Sequence, residues 1–231
     1  HMLSCKTLMD QIAGGSWDER LNHLYCCSGG EALEAVRART IEAVKRYQEL
    51  FSAGDDVQVA LFSSPGRTEL GGNHTDHQHG CVLAASVNMD MLSVAAPNGT
   101  SQVRIHSEGY PVLTVDLSNL SPVESEKETS ASLVRGVAAR MTELGQAPAG
   151  FDAYVCSSVP AGSGLSSSAA YEVLVGTIFN VLFCNQVFTP VQVAQIGQYA
   201  ENVFFGKPCG LMDETASAVG GVVCIDFKDP S

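Results

Sequence analysis

The chain has 231 residues, 45% of them hydrophobic, and a formal net charge of −12 at pH 7. That content in that length buries a substantial core, as one large domain or two small ones. The acidic balance speaks against nucleic acid or anionic membrane as partner, and no apolar run is long enough to span a bilayer.

His1-Met2 reads as a cloning scar ahead of a domain over 3–231. Glu31–Phe51 carries apolar residues at a helical period and reads as a surface helix with a solvated charged face. Val57–Phe62 alternates as a strand and leads into SSPGRTELGGNHTDHQHG, a polar, glycine-rich segment. Cys81–Ala96 is strand-rich, a turn follows at Pro97-Asn98-Gly99, and Val103–His106 and Val112–Val115 are short strands. Ser118–Ser130 reads as an exposed loop and Ala131–Leu144 as a helix. Phe151–Ser157 reads as a strand, Leu165–Phe183 and Val191–Phe205 as helices, Leu211–Val219 as a short helix and Gly221–Phe227 as a closing strand. The irregular mixing predicts an α+β fold. Eight cysteines without a CxxC or a regular spacing point to reduced thiols and a cytoplasmic protein.

Three segments carry chemistry. Val159–Ala170 reads VPAGSGLSSSAA. Its glycines let backbone approach a ligand closely, and the helix that follows directs free N–H groups and a positive dipole end at the bend. That suits phosphate; the alternative is an ordinary turn with a serine cap. It is not a Walker loop, since no GxxxxGK[ST] occurs, and Ser167, Ala161 and Leu165 break the Rossmann and nucleophile-elbow patterns. Residues 65–80 follow a strand and are dense in hydrogen-bonding groups. There Asp76 can accept two sugar hydroxyls at once. The alternatives are a polar surface loop, or a metal site from His74, His77 and His79 that lacks a finishing ligand. In Cys209–Glu214, Asp213 is either a first-turn acid of a short helix or a catalytic base.

Together the three segments resemble the galactokinases of the GHMP kinase superfamily. GRTELGGNHTDH stands where that family has GRxNLIGEHTDY, PAGSGLSSSAA matches its PxGxGLSSSAA motif, and CGLMDE its CGxMDQ. The resemblance implies the GHMP kinase N-terminal fold (ribosomal protein S5 domain 2-like), a mixed sheet packed by helices. It also implies that the family's C-terminal domain is absent. It implies ATP-dependent phosphorylation of a sugar's anomeric hydroxyl, with galactose or a related sugar as substrate, ATP as co-substrate and Mg²⁺ as cofactor. Asp213 falls on the catalytic aspartate, and Arg67 on the arginine that pairs with it and with the transferring phosphate. Asn73, His74, Asp76 and Gly210 fall on sugar-binding positions. Pro160, Gly162, Ser163, Gly164, Leu165, Ser166, Ser167 and Ser168 fall on the ATP-phosphate loop. Ser168 and Glu201 fall on the cation ligands; without the resemblance Glu201 reads as solvent-facing.

The chain departs from the family pattern at several positions. Asn73 replaces a glutamate that meets the primary hydroxyl at C6, Glu69 an asparagine, His77 a tyrosine and Glu214 a glutamine. Losing the carboxylate at 73 removes repulsion toward a sugar with its own carboxylate at C6, which keeps galacturonate and arabinose open as substrates. A galactose and ATP sensor without catalysis is the alternative from another class, although Arg67, Asp213 and the serine triplet are intact. Oligomeric state does not follow from the sequence.

Overall fold

The computed structural model describes residues 2–71, 81–159, 167–220 and 222–226, with backbone alone at 67–71, 81–88, 167, 212–214 and 222–226. In chain order come β1 (Leu3–Ser4), α1 (Cys5–Ala13), α2 (Asp18–Tyr25), α3 (Gly30–Phe51), β2 (Gln58–Gly71), β3 (Cys81–Pro97), β4 (Gln102–Ser107) and β5 (Leu113–Asp116). A 3-10 turn (Glu124–Glu126), α4 (Ser130–Glu143), β6 (Phe151–Ser157), α5 (Ser167–Phe183) and α6 (Pro190–Ala200) follow. A π-helical turn (Glu201–Phe205) extends α6, and α7 (Met212–Val219) and β7 (Val222–Asp226) complete the order. No helix among the described residues is long and apolar enough to cross a membrane.

The strands form one sheet in the order β1-β2-β3-β6-β4-β5, with β7 also on β3. Every pairing is antiparallel except β4 with β6, so the sheet is mixed and the fold α+β. Alternation along the strands divides the core in two, because successive side chains point to opposite faces. Ala60, Phe62, Met91, Ala95, Phe151, Ala153 and Val155 join one cluster with residues of α4, α5 and α6. Val59, Leu92, Val94, Ala96, Tyr154 and Cys156 join another with α1 and α3. Helices therefore cover both faces, and β6, buried over its first six residues, has no solvent side.

Two glycines set the spacing of the helical layer over the first face. A Cβ at Gly136 of α4 would stand 2.8 Å from Ala200 Cβ and 2.9 Å from Ala200 Cα. A Cβ at Gly176 of α5 would stand 2.8 Å from Val193 Cγ1. Glycine at these points lets α6 settle against both neighbours, and the end of α6 carries Glu201.

Three features depart from the sequence reading. The strand read as Val57–Phe62 continues through the polar segment to Gly71, with register shifts against β3 between Pro65 and Arg67 and between Glu69 and Gly71. Pro65, with no N–H to donate, is tolerated at such an irregularity. Second, α1 and α2 precede the first expected helix; α1 is capped by the Ser4 side chain and buries Cys5, Leu8 and Ile12. Third, the charged face of α3 is not wholly solvated. Arg37 pairs with Asp18 of α2, and Arg39 reaches inward to Asp90 at 2.5 Å.

Candidate active site

Arg67 lies on β2, opposite Ser86 of β3 and just past the first register shift. Asp213 is the second residue of α7, so it is a first-turn acid, as one alternative for it had it. α7 packs on β2, β3 and β7, and also against α5 and α6. The strand that carries Arg67 and the helix that carries Asp213 are thus neighbours across one packing layer.

The approach to α7 is fastened to α6 and its extension. The Gln198 side-chain amide donates to the Cys209 carbonyl at 3.2 Å, and the Cys209 N–H donates to Asn202 Oδ1 at 2.9 Å. Both main-chain groups of the residue before Gly210 are therefore held by side chains one helical turn apart. Gly210 itself is partly buried.

Glu201 lies between those two side chains, at the start of the π-helical turn, and is 8% exposed. It is buried, not solvent-facing. Among the described residues, no hydrogen bond or ion pair reaches its carboxylate. Its carboxylate oxygens are not fully enclosed, so water still reaches them. A hard cation satisfies such a carboxylate, and oxygen ligands are what Mg²⁺ takes. The wider turn is itself unusual in a helix and tends to mark sites of function.

Ser167 and Ser168 form the first turn of α5, a helix of 17 residues, and Ser168 is exposed. The helix start is where N–H groups lie free for an anion. Of the remaining expected site residues, Pro160, Gly162, Ser163, Gly164, Leu165 and Ser166 of the glycine-serine segment lie outside the described residues. So do Asn73, His74 and Asp76, together with His77 and His79 of the metal alternative. Among the described residues, no cluster of histidine, cysteine and acidic side chains has the make-up of a metal site.

The sequence reading missed a buried group beside these segments: Tyr25, Arg39, Ser63 and Asp90 meet one another where β2 bends and β6 ends. Its one signal was a lone carboxylate inside the apolar run Cys81–Ala96. Burial, reinforced by the charge of Asp90, pushes the Tyr25 hydroxyl well above its ordinary value.

The family model for the GHMP kinases N terminal domain matches residues 132–221, and the galactokinase galactose-binding signature matches residues 45–97. A galactokinase of Lactococcus lactis subsp. lactis is 34% identical over 180 residues, 77% of this chain and 44% of that protein. The chain spans less than half the length of the curated relatives it matches. The crystal structure of Lactococcus lactis galactokinase complexed with galactose superposes with a TM-score of 0.74 at 28% identity, over 85% of this chain and 50% of that one. The mevalonate kinase of Methanococcus jannaschii shares the fold alone, with a TM-score of 0.62 at 13% identity over 74% of this chain and 54% of that one. The chain matches the N-terminal region of the galactokinases, with the GHMP kinase N-terminal domain and the galactokinase galactose-binding signature both present.

Proposed function

We propose that the chain supplies the sugar-binding and phosphate-binding parts of a kinase that moves the γ-phosphoryl group of ATP to the anomeric hydroxyl of galactose. The observation that carries this reading is the packing of α7 on β2, with α5 and α6 beside it, which makes neighbours of the elements bearing the three motifs. In the reaction, Asp213 accepts the proton of the anomeric hydroxyl as its oxygen bonds to the γ-phosphorus. The bond from that phosphorus to the β,γ-bridging oxygen breaks, and ADP leaves. Arg67, permanently charged, orients the aspartate and offsets charge on the transferring group. The glycine-serine segment holds the phosphates from its backbone and from the first turn of α5. Mg²⁺ bound with ATP offsets the charge of the β- and γ-phosphates, and Ser168 and Glu201 are the residues that would hold it. Asn73, His74 and Asp76 bind the sugar hydroxyls, and Gly210 offers its backbone. Eight cysteines without a CxxC or a regular spacing suit a reducing, cytoplasmic setting.

A second reading differs only in the sugar. Asn73 removes a negative charge from the C6 end of the site, which favours a galacturonate-type substrate. One set of assays tests both: Mg-ATP-dependent phosphorylation of galactose, galacturonate and arabinose, with Asp213→Ala as control. We expect Asp213→Ala to lose at least about a thousandfold in rate, as removal of a catalytic base and its electrostatic role does, while galactose still binds. Wild-type-like turnover by that variant would overturn the kinase assignment. Preferred turnover of galacturonate would replace galactose by the second reading.

A further inference from the structure

Asp90 lies on β3, is 2% exposed, and has no part in the transfer chemistry above. Its carboxylate accepts from three elements at once: the Tyr25 hydroxyl of α2 at 2.6 Å, Arg39 Nη1 of α3 at 2.5 Å and the Ser63 hydroxyl of β2 at 2.5 Å. Its main chain is as fully engaged. The Asp90 carbonyl accepts the Ser158 N–H at 2.9 Å, and the Asp90 N–H donates to the Ser158 hydroxyl oxygen at 2.9 Å. Arg39 Nη2 adds a bond to the Cys156 carbonyl at 3.3 Å. Ser63 stands four residues before Arg67, and Ser158 two before Pro160. Asp90 thus touches the strand leading to the sugar segment with its carboxylate, and the strand end leading to the phosphate segment with its main chain and, one step removed, through Arg39. Hydrogen bonds to a charged acceptor are the strong ones, and in a buried site they define one arrangement of their donors.

We propose that Asp90 is a positioning residue that holds the sugar-binding and phosphate-binding segments in register with each other, an inference that rests on the sugar-kinase reading. Its two arms are separable. Ser63 connects it to β2, whereas Arg39 connects it to the end of β6. Ser63→Ala therefore loosens the first segment and Arg39→Lys, which keeps the charge but not the second nitrogen, loosens the other. Asp90→Asn loosens both.

The test is amide hydrogen exchange on the three variants of this chain, with Mg-ATP and galactose titrated calorimetrically in parallel. We expect Ser63→Ala to speed exchange in residues 62–71 about tenfold and weaken galactose, and Arg39→Lys to do the same in residues 155–166 and weaken Mg-ATP; about tenfold is one hydrogen bond's worth. Residues 102–143 should exchange as in the wild type. If Asp90→Asn does not fold, the two single variants decide. Loosening of both segments alike by either single variant, of neither segment, or of the whole chain would overturn the proposal. A wild-type chain that binds neither ligand would instead count against the kinase reading, and the exchange pattern would still settle the role of Asp90.

Discussion

A mostly buried carboxylate beside the approach to α7 makes Glu201 the residue whose role is most directly measurable. It is buried because Gly136 lets Ala200 approach α4, and it lacks a hydrogen-bonding partner among the described residues. If its function is to hold a cation, the ligand replaces water as the partner of this mostly buried carboxylate. Glu201→Gln keeps the shape and removes the charge. We expect the variant to be at least as stable as the wild type without ligand, and to lose the thermal shift that Mg-ATP confers. For the wild type that shift corresponds to about 2.7 kcal/mol at a hundredfold excess over the dissociation constant. Equal Mg-ATP stabilisation of both proteins, read from thermal unfolding curves, would remove Glu201 from the cation site. Nothing in the residue's immediate neighbours in sequence announces this role. Its separation from Asp213 and the family motif pointed to it, whereas its burial depends on how three helices pack.

At the scale of elements, the hold of α6 on the segment before α7 makes a prediction in which one chemical change has opposite outcomes. Cys209 offers an N–H to Asn202 and a carbonyl to Gln198. A carboxylate accepts hydrogen bonds but does not donate when ionised. Asn202→Asp therefore keeps its bond, while Gln198→Glu loses its own and sets a negative charge against a carbonyl oxygen. We expect Gln198→Glu to slow transfer about tenfold through a misplaced α7, about 1.4 kcal/mol for one lost hydrogen bond, with Asn202→Asp near the wild type. Steady-state rates for the two variants check this, and equal losses would show that the contact does not orient α7. Such contacts were not legible in advance, because they join residues of no special composition across a loop. The elements themselves were largely legible: the helical period of α3 and α4 and the apolar run of β6 appear where expected. The extension of β2 to Gly71 was hidden because glycines and a proline in a polar stretch read locally as a turn, while pairing with β3 overrides that preference. α1 was missed although Cys5, Leu8 and Ile12 have helical spacing, since one short turn of signal competes poorly with its polar flanks.

For the whole molecule, the layer formed by α1, α2 and α3 is fastened to the sheet partly through two buried phenols, and this gives its stability a particular pH dependence. Tyr25 meets Asp90, and Tyr47 is buried in the core cluster on the same face. Burial, with neighbouring negative charge adding to it, pushes the ionisation of both to higher pH than that of an ordinary phenol. Below about pH 10 both phenols are protonated in the folded and the unfolded chain, so neither makes stability depend on pH. Above that, the unfolded chain releases these protons and the folded chain keeps them. Stability therefore falls as pH rises, by about 1.4 kcal/mol per pH unit for each phenol. Urea unfolding across this alkaline range should show the slope shrink in Tyr25→Phe and again in the double variant with Tyr47→Phe. The rest of the slope, which all three proteins share, comes from the other phenols and thiols that burial pushes up, Tyr171, Tyr154, Tyr199, Cys5, Cys156 and Cys184, and from growing net negative charge. A slope unchanged by both substitutions would mean that the phenols titrate freely in the folded state, and that the α1–α3 layer is looser on the sheet than its contacts indicate. Because Tyr25 and Asp90 share a hydrogen bond, the same loosening would appear in the exchange of residues 155–159, linking the fit of that outer layer to the end of β6.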